Sequence, residues 1–535
     1  MDHAKASEDP AKPTVAKTKK PRSSKNTATE GSKPTPRKRK DATTKKVAAT
    51  IEANPLSESE KDLLTDLQGK ITAAKEDIRL RDDKADEAAV TIADALYKIR
   101  DQKLYREHAK SFAEYSRKEF KYARSHANRM ADTGRILAQA NVSPHGDIIK
   151  LITSEAIARP LLSVTDTQRG EVFVILRKWL TWSKEEALTP RVVKAAVTCA
   201  FPPRAPDVST NEDLPLLNTM RNVVRDAKKL IANDAQQATA EAFALIEDKI
   251  KELETPRSTT GLDRTDHTWN SIVGCTYVSE GCKHCYAAKL AATRYVHMHP
   301  GIAEVKTSEK KGKTYAFNGT LVLLPERLSE PLENRTPSRY FVNSLSDLFH
   351  QDLDEDFIET VFKVMEQASW HTFQVLTKRP ERMAEFTQKY YADRTPPANI
   401  WLGTSTENQE TFDKRLPHLL KTKAAVLWLS AEPLIGPIAM PSLEGVHWVV
   451  VGGESGSTRK MEKPWALDIR DACKSADVPF FFKQWGAYRE DGTKGKETKD
   501  AASEADELEE AGNKKTSKSP ATLDGVVHDE YPADR

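Results

Sequence analysis

The hydrophobic rhythm of the chain changes twice along its length. Between residues 55 and 140, apolar residues such as Leu63, Leu64, Leu67 and Ile71 recur at helical spacing among Ala, Lys, Glu, Asp and Arg, with few Gly or Pro. A stripe that returns every three to four residues falls on one side of a helix. The spacing therefore predicts long amphipathic helices over about 56–138, paired as a coiled-coil hairpin through which the chain self-associates. Residues 143–250 carry the same period in shorter pieces: "DIIKLITSEAIARPLL", "GEVFVILRKWLTW", "TPRVVKAAVTCAF" and "DAQQATAEAFALIEDKIKELE". Thr189 followed by Pro190 supplies an N-cap and then a proline at the first helical position, where its missing N–H is not needed. This half reads first as an oligomerisation scaffold and second as a DNA-binding module, because no recognition helix stands apart from an ordinary surface helix.

From about residue 262 the period shortens to that of strands alternating with helices. The runs "GTLVLL" (319–324), "RYFVNSL" (339–345), "HTFQVLT" (371–377), "NIWLGTS" (399–405), "AVLWLSA" (425–431), "HWVVVGG" (447–453) and "PFFFKQW" (479–485) are apolar or β-branched. Helical patterns such as "DEDFIETVFKVMEQAS", "PERMAEFTQKYY", "TFDKRLPHLLKTK" and "PWALDIRDACKSADV" separate several of them. Such alternation predicts an α/β fold with a parallel sheet, either a partial or full (β/α) barrel or an open doubly wound sheet.

Length and charge refine this picture. A chain of 535 residues exceeds one core and divides into about two to four domains. The composition shifts place a basic tail at 1–54, long helices at 55–140, a helical domain at 141–258, the α/β domain at 262–490 with 523–535, and a charged low-complexity insertion at 491–522. Net charge is only +3, yet residues 1–50 hold 14 Lys or Arg against 5 Asp or Glu. That segment has too little apolar surface to offset ordering its backbone and is expected to be disordered. Its run "PRKRK" (36–40) suits nucleic-acid phosphates or a targeting receptor; a purely solubilising tail is the plain alternative. The start lacks the apolar centre of a secretory signal, and no run of about 18 apolar residues is present to span a membrane. Five cysteines, an odd number in a large chain, argue against a disulfide framework and for a reducing cytoplasm. Cys199 and Cys473, each in an apolar helical pattern, read as small buried hydrophobes.

Polar residues gather just past the strands: Asn343, Ser344 and Asp347; Thr377, Lys378 and Arg379; Ser405, Glu407 and Asn408; Ser430 and Glu432; Gly452, Gly453, Glu454 and Ser455; Lys483, Gln484 and Trp485. One such residue is ordinarily a helix cap or a turn. Six strands in succession ending this way point to the ligand-binding face of a parallel sheet. "VVVGGES" lacks the spacing of a dinucleotide fingerprint or a phosphate-binding loop, which excludes nucleotide hydrolysis.

The remaining feature is "GCTYVSEGCKHCYA" (274–287), with Cys275-x6-Cys282-x2-Cys285. Structural zinc would need a fourth ligand, His284 or His267, and His284 lies inside the Cys282–Cys285 loop itself. A redox dithiol of Cys282 and Cys285 leaves Cys275 without a task. An iron–sulfur cluster held by three thiolates keeps one iron open for another ligand and accounts for the number three.

An open iron at the mouth of a (β/α) barrel resembles the radical S-adenosylmethionine enzymes, whose usual signature is C-x3-C-x2-C with an aromatic residue before the last cysteine. This chain departs from it in the longer first gap and in His284 at the aromatic position. "TWNSIVGCTYVSEGCKHCYA", "LPERLSEPL", "RYFVNSLSDLFH", "HTFQVLTKRPERM", "NIWLGTSTENQ", "LSAEPLIGPI", "WVVVGGESG", "VPFFFKQWG" and "LDGVVHDEYP" together are similar to the phage Gp-thirty-seven/Gp-sixty-eight family of radical-SAM-like proteins, over about 262–490 and 523–532. The resemblance implies a (β/α) barrel of radical-SAM type with a [4Fe–4S] cluster on Cys275, Cys282 and Cys285, S-adenosyl-L-methionine as cofactor and an external electron donor. It further implies cofactor contacts from Gly452, Gly453, Glu454 and Ser455, ribose or substrate contacts from Asn343, Ser344 and Asp347, and His284 packing on adenine. Lys378 and Arg379 would pair a carboxylate or phosphate, unless Arg379 only caps its turn. Glu407, Asn408 and Glu432, with Lys378, would hydrogen-bond substrate or move protons, and Lys483, Gln484 and Trp485 would close the mouth or, for Trp485, pack in the core. The expected substrate is a nucleic-acid base or nucleotide. The competing expectation is a non-enzymatic, zinc-stabilised DNA-binding or interaction protein of a phage or mobile element.

Overall fold

The computed structural model describes residues 55–80, 85–206, 265–308, 312–455, 459–494 and 521–532. The basic tail, the "DAQQATAEAFALIEDKIKELE" helix and most of the charged insertion lie outside the described residues. Among those described, no helix is long and apolar enough to cross a membrane.

Four helices open the described chain: α1 (Glu58–Leu80), α2 (Ala85–Asp101), α3 (Phe112–Phe120) and α4 (Arg124–Leu137). Their apolar stripes meet in one core that includes Leu64, Leu67, Ile71, Ile92, Leu96 and Met130. Helix α2 packs on both α1 and α4, so the segment is a small bundle rather than the expected two-helix coiled-coil hairpin. The physical reason lies in α4, whose Gly134 comes so close to the Ala93 backbone that no side chain fits between. Helices α5 (Asp166–Ser183) and α6 (Pro190–Ala200) follow. Thr189 caps α6 by accepting the Val192 N–H at 3.2 Å, with Pro190 beside it. Phe173, Leu176 and Trp179 of α5 and Val193 of α6 belong to the same apolar core as the sheet. As far as it is described, the stretch from 141 is therefore part of the sheet's core and not a core of its own.

The sheet has seven strands: β1 (His267–Trp269), β2 (Arg339–Val342), β3 (Thr372–Thr377), β4 (Ile400–Ser405), β5 (Val426–Ala431), β6 (Trp448–Gly452) and β7 (Phe480–Gln484). All neighbours are parallel, and spatial order follows chain order from β1 to β7. A doubly wound sheet reverses its order at a switch point; this one does not, and that alternative falls. Among the described residues β1 and β7 are edges, so the sheet is an open part-barrel. Helices α7 (Tyr286–Thr293), α8 (Glu355–Gln367), α9 (Pro380–Tyr390), α10 (Gln409–Leu419) and α11 (Lys463–Ser475) lie between the strands. The run "GTLVLL" is not in this sheet: Val322–Leu323 pairs antiparallel with Ile272–Val273. Its place at the edge is taken by the start of "TWNSIVG". A hairpin of Ala303–Ser308 and Gly312–Phe317 carries too many lysines and threonines to announce itself as apolar strands.

Strand alternation divides the sheet's two faces. Tyr340, Val342, Phe373, Val375, Leu402 and Leu429 point to the helices and join Phe357, Phe362, Phe386 and Ile469. Phe341, Trp401, Trp428, Trp448, Val450 and Phe481 line the opposite, inner face. There Tyr531 stacks on Trp448 at 5.3 Å, and the Trp448 indole N–H donates to the Glu530 carbonyl at 2.8 Å. The late "LDGVVHDEYP" segment thus packs against the aromatic inner face. Along β5 the inner positions run Val426, Trp428, Ser430 and then Glu432, from apolar to charged toward the C-terminal end.

Gly403 on β4 leaves the space in which the Trp428 indole lies; a Cβ there would sit well inside the ring's van der Waals envelope. Gly403→Ala should therefore cost about 1–3 kcal/mol through overpacking, read as a lower urea midpoint with an unchanged slope.

Candidate functional site

After β1 the chain turns at Gly274, whose φ of 100° is open to glycine and whose missing side chain lets the Thr320 backbone approach. Cys275, Cys282 and Cys285 then lie in one loop at the C-terminal end of the sheet, ending at the start of α7. All three are free and partly buried. Cys285 occupies the N-cap position of α7 without a side-chain capping hydrogen bond; burial pushes its thiol pKa up, against the nearby helix amides and Lys378. Burial and the neighbouring Asp347 push the Cys275 thiol up to about 12, against the Arg379 guanidinium whose Nη1 lies 3.9 Å from its sulfur. Both thiols hold their protons at neutral pH, and a metal group would have to displace them.

The loop contains only one short 3-10 turn, Glu280–Cys282, and three buried carboxylates from three other loops hold it. Asp347, after β2, accepts from Thr377 Oγ1 at 2.7 Å, the Phe349 N–H at 2.9 Å, the Lys378 N–H at 3.1 Å and Arg379 Nη1 at 2.8 Å. Arg379 also donates through Nη2 to Thr276 Oγ1 at 2.6 Å, beside Cys275. His350 meets the same hydroxyl at 2.9 Å through Nε2, while its Nδ1 accepts the Asp352 N–H at 3.3 Å. Burial and then the Arg379 charge hold the His350 imidazole below its ordinary value, so it is neutral with the proton on Nε2.

Glu407, after β4, is 1% exposed. Its carboxylate accepts from Ser279 Oγ at 2.8 Å and Arg415 Nη1 at 2.9 Å, with Lys378 Nζ at 3.6 Å. A Cβ on Gly281 would lie 2.5 Å from its Cγ, so the loop's glycine rests directly on this side chain. Glu454, after β6, pairs with Arg459, whose guanidinium also donates to the Glu280 carbonyl at 3.0 Å. The expected polar residues thus converge, but inward, on the cysteine loop.

The other expected site residues separate into binding candidates and structural ones. Glu432 and Lys483 form an ion pair at 2.8 Å on the inner face, and Ser430 Oγ donates to Glu432 at 3.1 Å. Gly452 leaves room for Glu432, since a Cβ there would lie 2.7 Å from Oε1, and Gly453 leaves room for the Trp485 backbone. The glycine pair therefore serves close packing within the chain. Ser455 accepts from Gln484 Nε2 at 2.8 Å. Asn408 caps α10 by accepting the Thr411 N–H at 3.0 Å. Asn343, at φ 59°, accepts the Ser271 N–H at 3.1 Å, and its buried Nδ2 has no hydrogen-bond partner among the described residues. Ser344 pairs with Asn270 at 3.3 Å. Trp485 donates to the Thr522 carbonyl at 2.8 Å and packs on Phe482 at 5.0 Å, which places it in the core rather than over the mouth. His284 is half-buried within the loop.

Sequence reasoning missed Arg415, Arg459, Ser279 and His350. Arg415 left a signal: it shares the buried face of α10 with Phe412 and Leu419, where periodicity asks for an apolar residue. Arg459 left none, because its partners Glu280 and Glu454 belong to distant loops.

Among the described residues no three His, Cys, Asp or Glu side chains converge as a single ion requires. His267 is on β1, stacked on Tyr340 at 5.0 Å, away from the role of fourth zinc ligand. Three free thiols in one loop, near Arg379 and Lys378, suit an iron–sulfur cluster in kind: the ligands are soft, and a cluster spreads its thiolates farther apart than a lone ion does.

Glu407 also generates a pH dependence. Burial raises its pKa, but Lys378 and Arg415 outweigh burial and hold it below the ordinary 4.5. A folded value below the unfolded one gives stability that is complete above about pH 4.5 and lost as pH falls through the folded value. Glu407→Gln should cost about 3–5 kcal/mol at neutral pH by leaving the buried Arg415, and in part the half-buried Lys378, uncompensated. Its difference from wild type in urea unfolding should shrink in acid.

No curated protein and no solved structure matches the chain. Residues 259–532, just over half of the chain, match the family described as "Protein of unknown function (DUF5131)". The match spans the whole seven-stranded sheet and its cysteine loop, and the chain belongs to that family.

Proposed function

We propose that the chain is a radical S-adenosylmethionine enzyme that holds a [4Fe–4S] cluster through Cys275, Cys282 and Cys285 and acts on a nucleic-acid base or nucleotide. The observation that carries this reading is a loop with three free thiols, clamped at the C-terminal mouth of a parallel part-barrel. When bound, the cluster and the sulfonium cofactor supply an electron and a 5′-deoxyadenosyl radical able to take a hydrogen atom from substrate.

The chain's own residues supply binding and orientation. Arg379 stands 3.9 Å from the Cys275 sulfur, fixed by Asp347, and lends positive charge to an anionic cluster. Glu407 holds Ser279 and Gly281, and so the approach of the chain to Cys282, in place. Glu432, Lys483 and Ser430 form the polar lining of the inner face where it meets the mouth, above the tryptophan layer that keeps water out from below. They are the groups best placed to orient a polar substrate or the cofactor. The strongly basic first 50 residues favour a nucleic acid as substrate or platform.

Anaerobic purification should give a coloured protein with about four irons and four sulfides per chain, lost in Cys282→Ala. With a reductant, the holoprotein should cleave S-adenosylmethionine to 5′-deoxyadenosine. A colourless protein with stoichiometric zinc would sink the reading and leave the non-enzymatic alternative.

A further inference from the structure

The turn between α3 and α4 concentrates positive charge: residues 117–124 hold four cations and one carboxylate, Glu119. Arg117, Lys118, Lys121 and Arg124 are all exposed. Among the described residues none of the four is ion-paired with a carboxylate; Lys121 Nζ donates only to the Lys118 carbonyl, at 2.9 Å. The turn itself is rigid. Lys121 takes the left-handed conformation at φ 61°, and the Tyr122 N–H closes back onto the Ser116 carbonyl at 3.2 Å. From α1, Lys75 donates to the Phe120 carbonyl at 3.0 Å and lies over the Tyr122 ring. Glycine is the usual residue in such a left-handed position because other side chains are strained there. Here it is occupied by a cation. Helix α4 starts at Ala123 without a side-chain cap and without an acidic residue in its first turn, so its first amides and Arg124 present like charge at the same place.

We propose that this turn is a docking surface for the phosphate backbone of duplex DNA, read without regard to sequence. Three observations select that occupant. Neither α3, α4 nor the turn between them exposes a large hydrophobic side chain, and the exposed ones flanking the bundle are the isolated Ile78 and Val142, so the patch itself lacks the apolar anchor of a protein interface. The one aromatic ring in the turn, Tyr122, is engaged by His126 at 5.0 Å and by Lys75, and is not offered for stacking on single-stranded bases. Farther along α4 the charged side chains are committed within the chain, Arg129 to Glu155, Asp132 to Arg100 and Arg135 to Asp166, so α4 offers the cations of the turn for phosphates and no further charged group for base edges. The surface is independent of the cluster and stands whether or not the radical reading does.

The test is fluorescence anisotropy of the full chain on a labelled random-sequence duplex over a series of salt concentrations. It compares wild type with a variant carrying Arg117→Gln, Lys118→Gln, Lys121→Gln and Arg124→Gln together. Each phosphate contact adds about 0.9 to the slope of log affinity against log salt. The fourfold variant should therefore lose about three to four units of slope and at least about tenfold in affinity, with an unchanged melting temperature. Lys121→Gly separates charge from folding: it relieves the left-handed strain, so its melting temperature should hold or rise while DNA affinity falls. An unchanged affinity and slope in the fourfold variant overturns the proposal and leaves DNA binding, if wild type shows any, to the basic tail. Tighter binding to a single strand, lost with the same four residues, overturns the assignment to duplex.

Discussion

Three buried carboxylates hold the eleven-residue cysteine loop, and the arrangement of everything around the mouth follows from them. The loop has almost no secondary structure of its own. Asp347 reaches it through Arg379 and Thr276, Glu407 through Ser279 and Gly281, and Glu454 through Arg459 and the Glu280 carbonyl. Buried charge is tolerable only when paired and hydrogen-bonded. Each of these carboxylates meets that condition with a guanidinium, and Asp347 adds two backbone N–H groups and a hydroxyl. Such pairs add less to net stability than to geometry: any other placement of the loop would strand a charge away from water.

The sheet makes this clamp possible by being parallel and singly wound. Every strand ends at the same rim, so loops after β2, β4 and β6 can address one segment. The inner face sorts its residues along the strand direction. Trp401, Gly403 and Ser405 on β4, and Val426, Trp428 and Ser430 on β5, pass from large aromatic to small polar within a few residues. The tryptophans fill the lower part and the Tyr531 segment packs beneath them, leaving the polar rim as the part of the inner face able to meet a ligand.

Much of this was legible in the pattern of the chain, and the exceptions have physical causes. Six of the seven apolar runs are strands of the sheet because their alternation buries both faces. "GTLVLL" is not, because Gly274 lets its backbone cross the start of the cysteine loop and pair there instead. The collection of polar residues after the strands marked the rim at which the structure gathers them around the cysteine loop. It did not distinguish Glu407 from its neighbour Asn408, although one clamps the loop and the other caps a helix. That difference depends on which way a single backbone step points, and local sequence does not encode it. The partners Arg415 and Arg459 reach the site from a helix face and from a separate loop, and only Arg415 broke a periodic pattern on the way.

The two concentrations of positive charge in the described chain follow opposite rules. At the mouth, Arg379, Arg415, Arg459 and Lys483 each face a carboxylate within hydrogen-bonding reach, so their charge is spent on holding loops and little is left to attract a polyanion. In the N-terminal bundle, which has its own apolar core, the cations of the α3–α4 turn face water and have no carboxylate partner among the described residues. Long-range attraction depends on net rather than gross charge. By that rule the bundle as a whole is close to neutral, its attraction is confined to the local excess at the α3–α4 turn, and residues 1–50 carry the larger net positive charge. The pairs that fix the cysteine loop leave Arg379 and Arg459 committed to Asp347 and Glu454. On the proposed reading, a phosphate backbone held at the turn would leave those pairs, and so the register of the thiols, undisturbed.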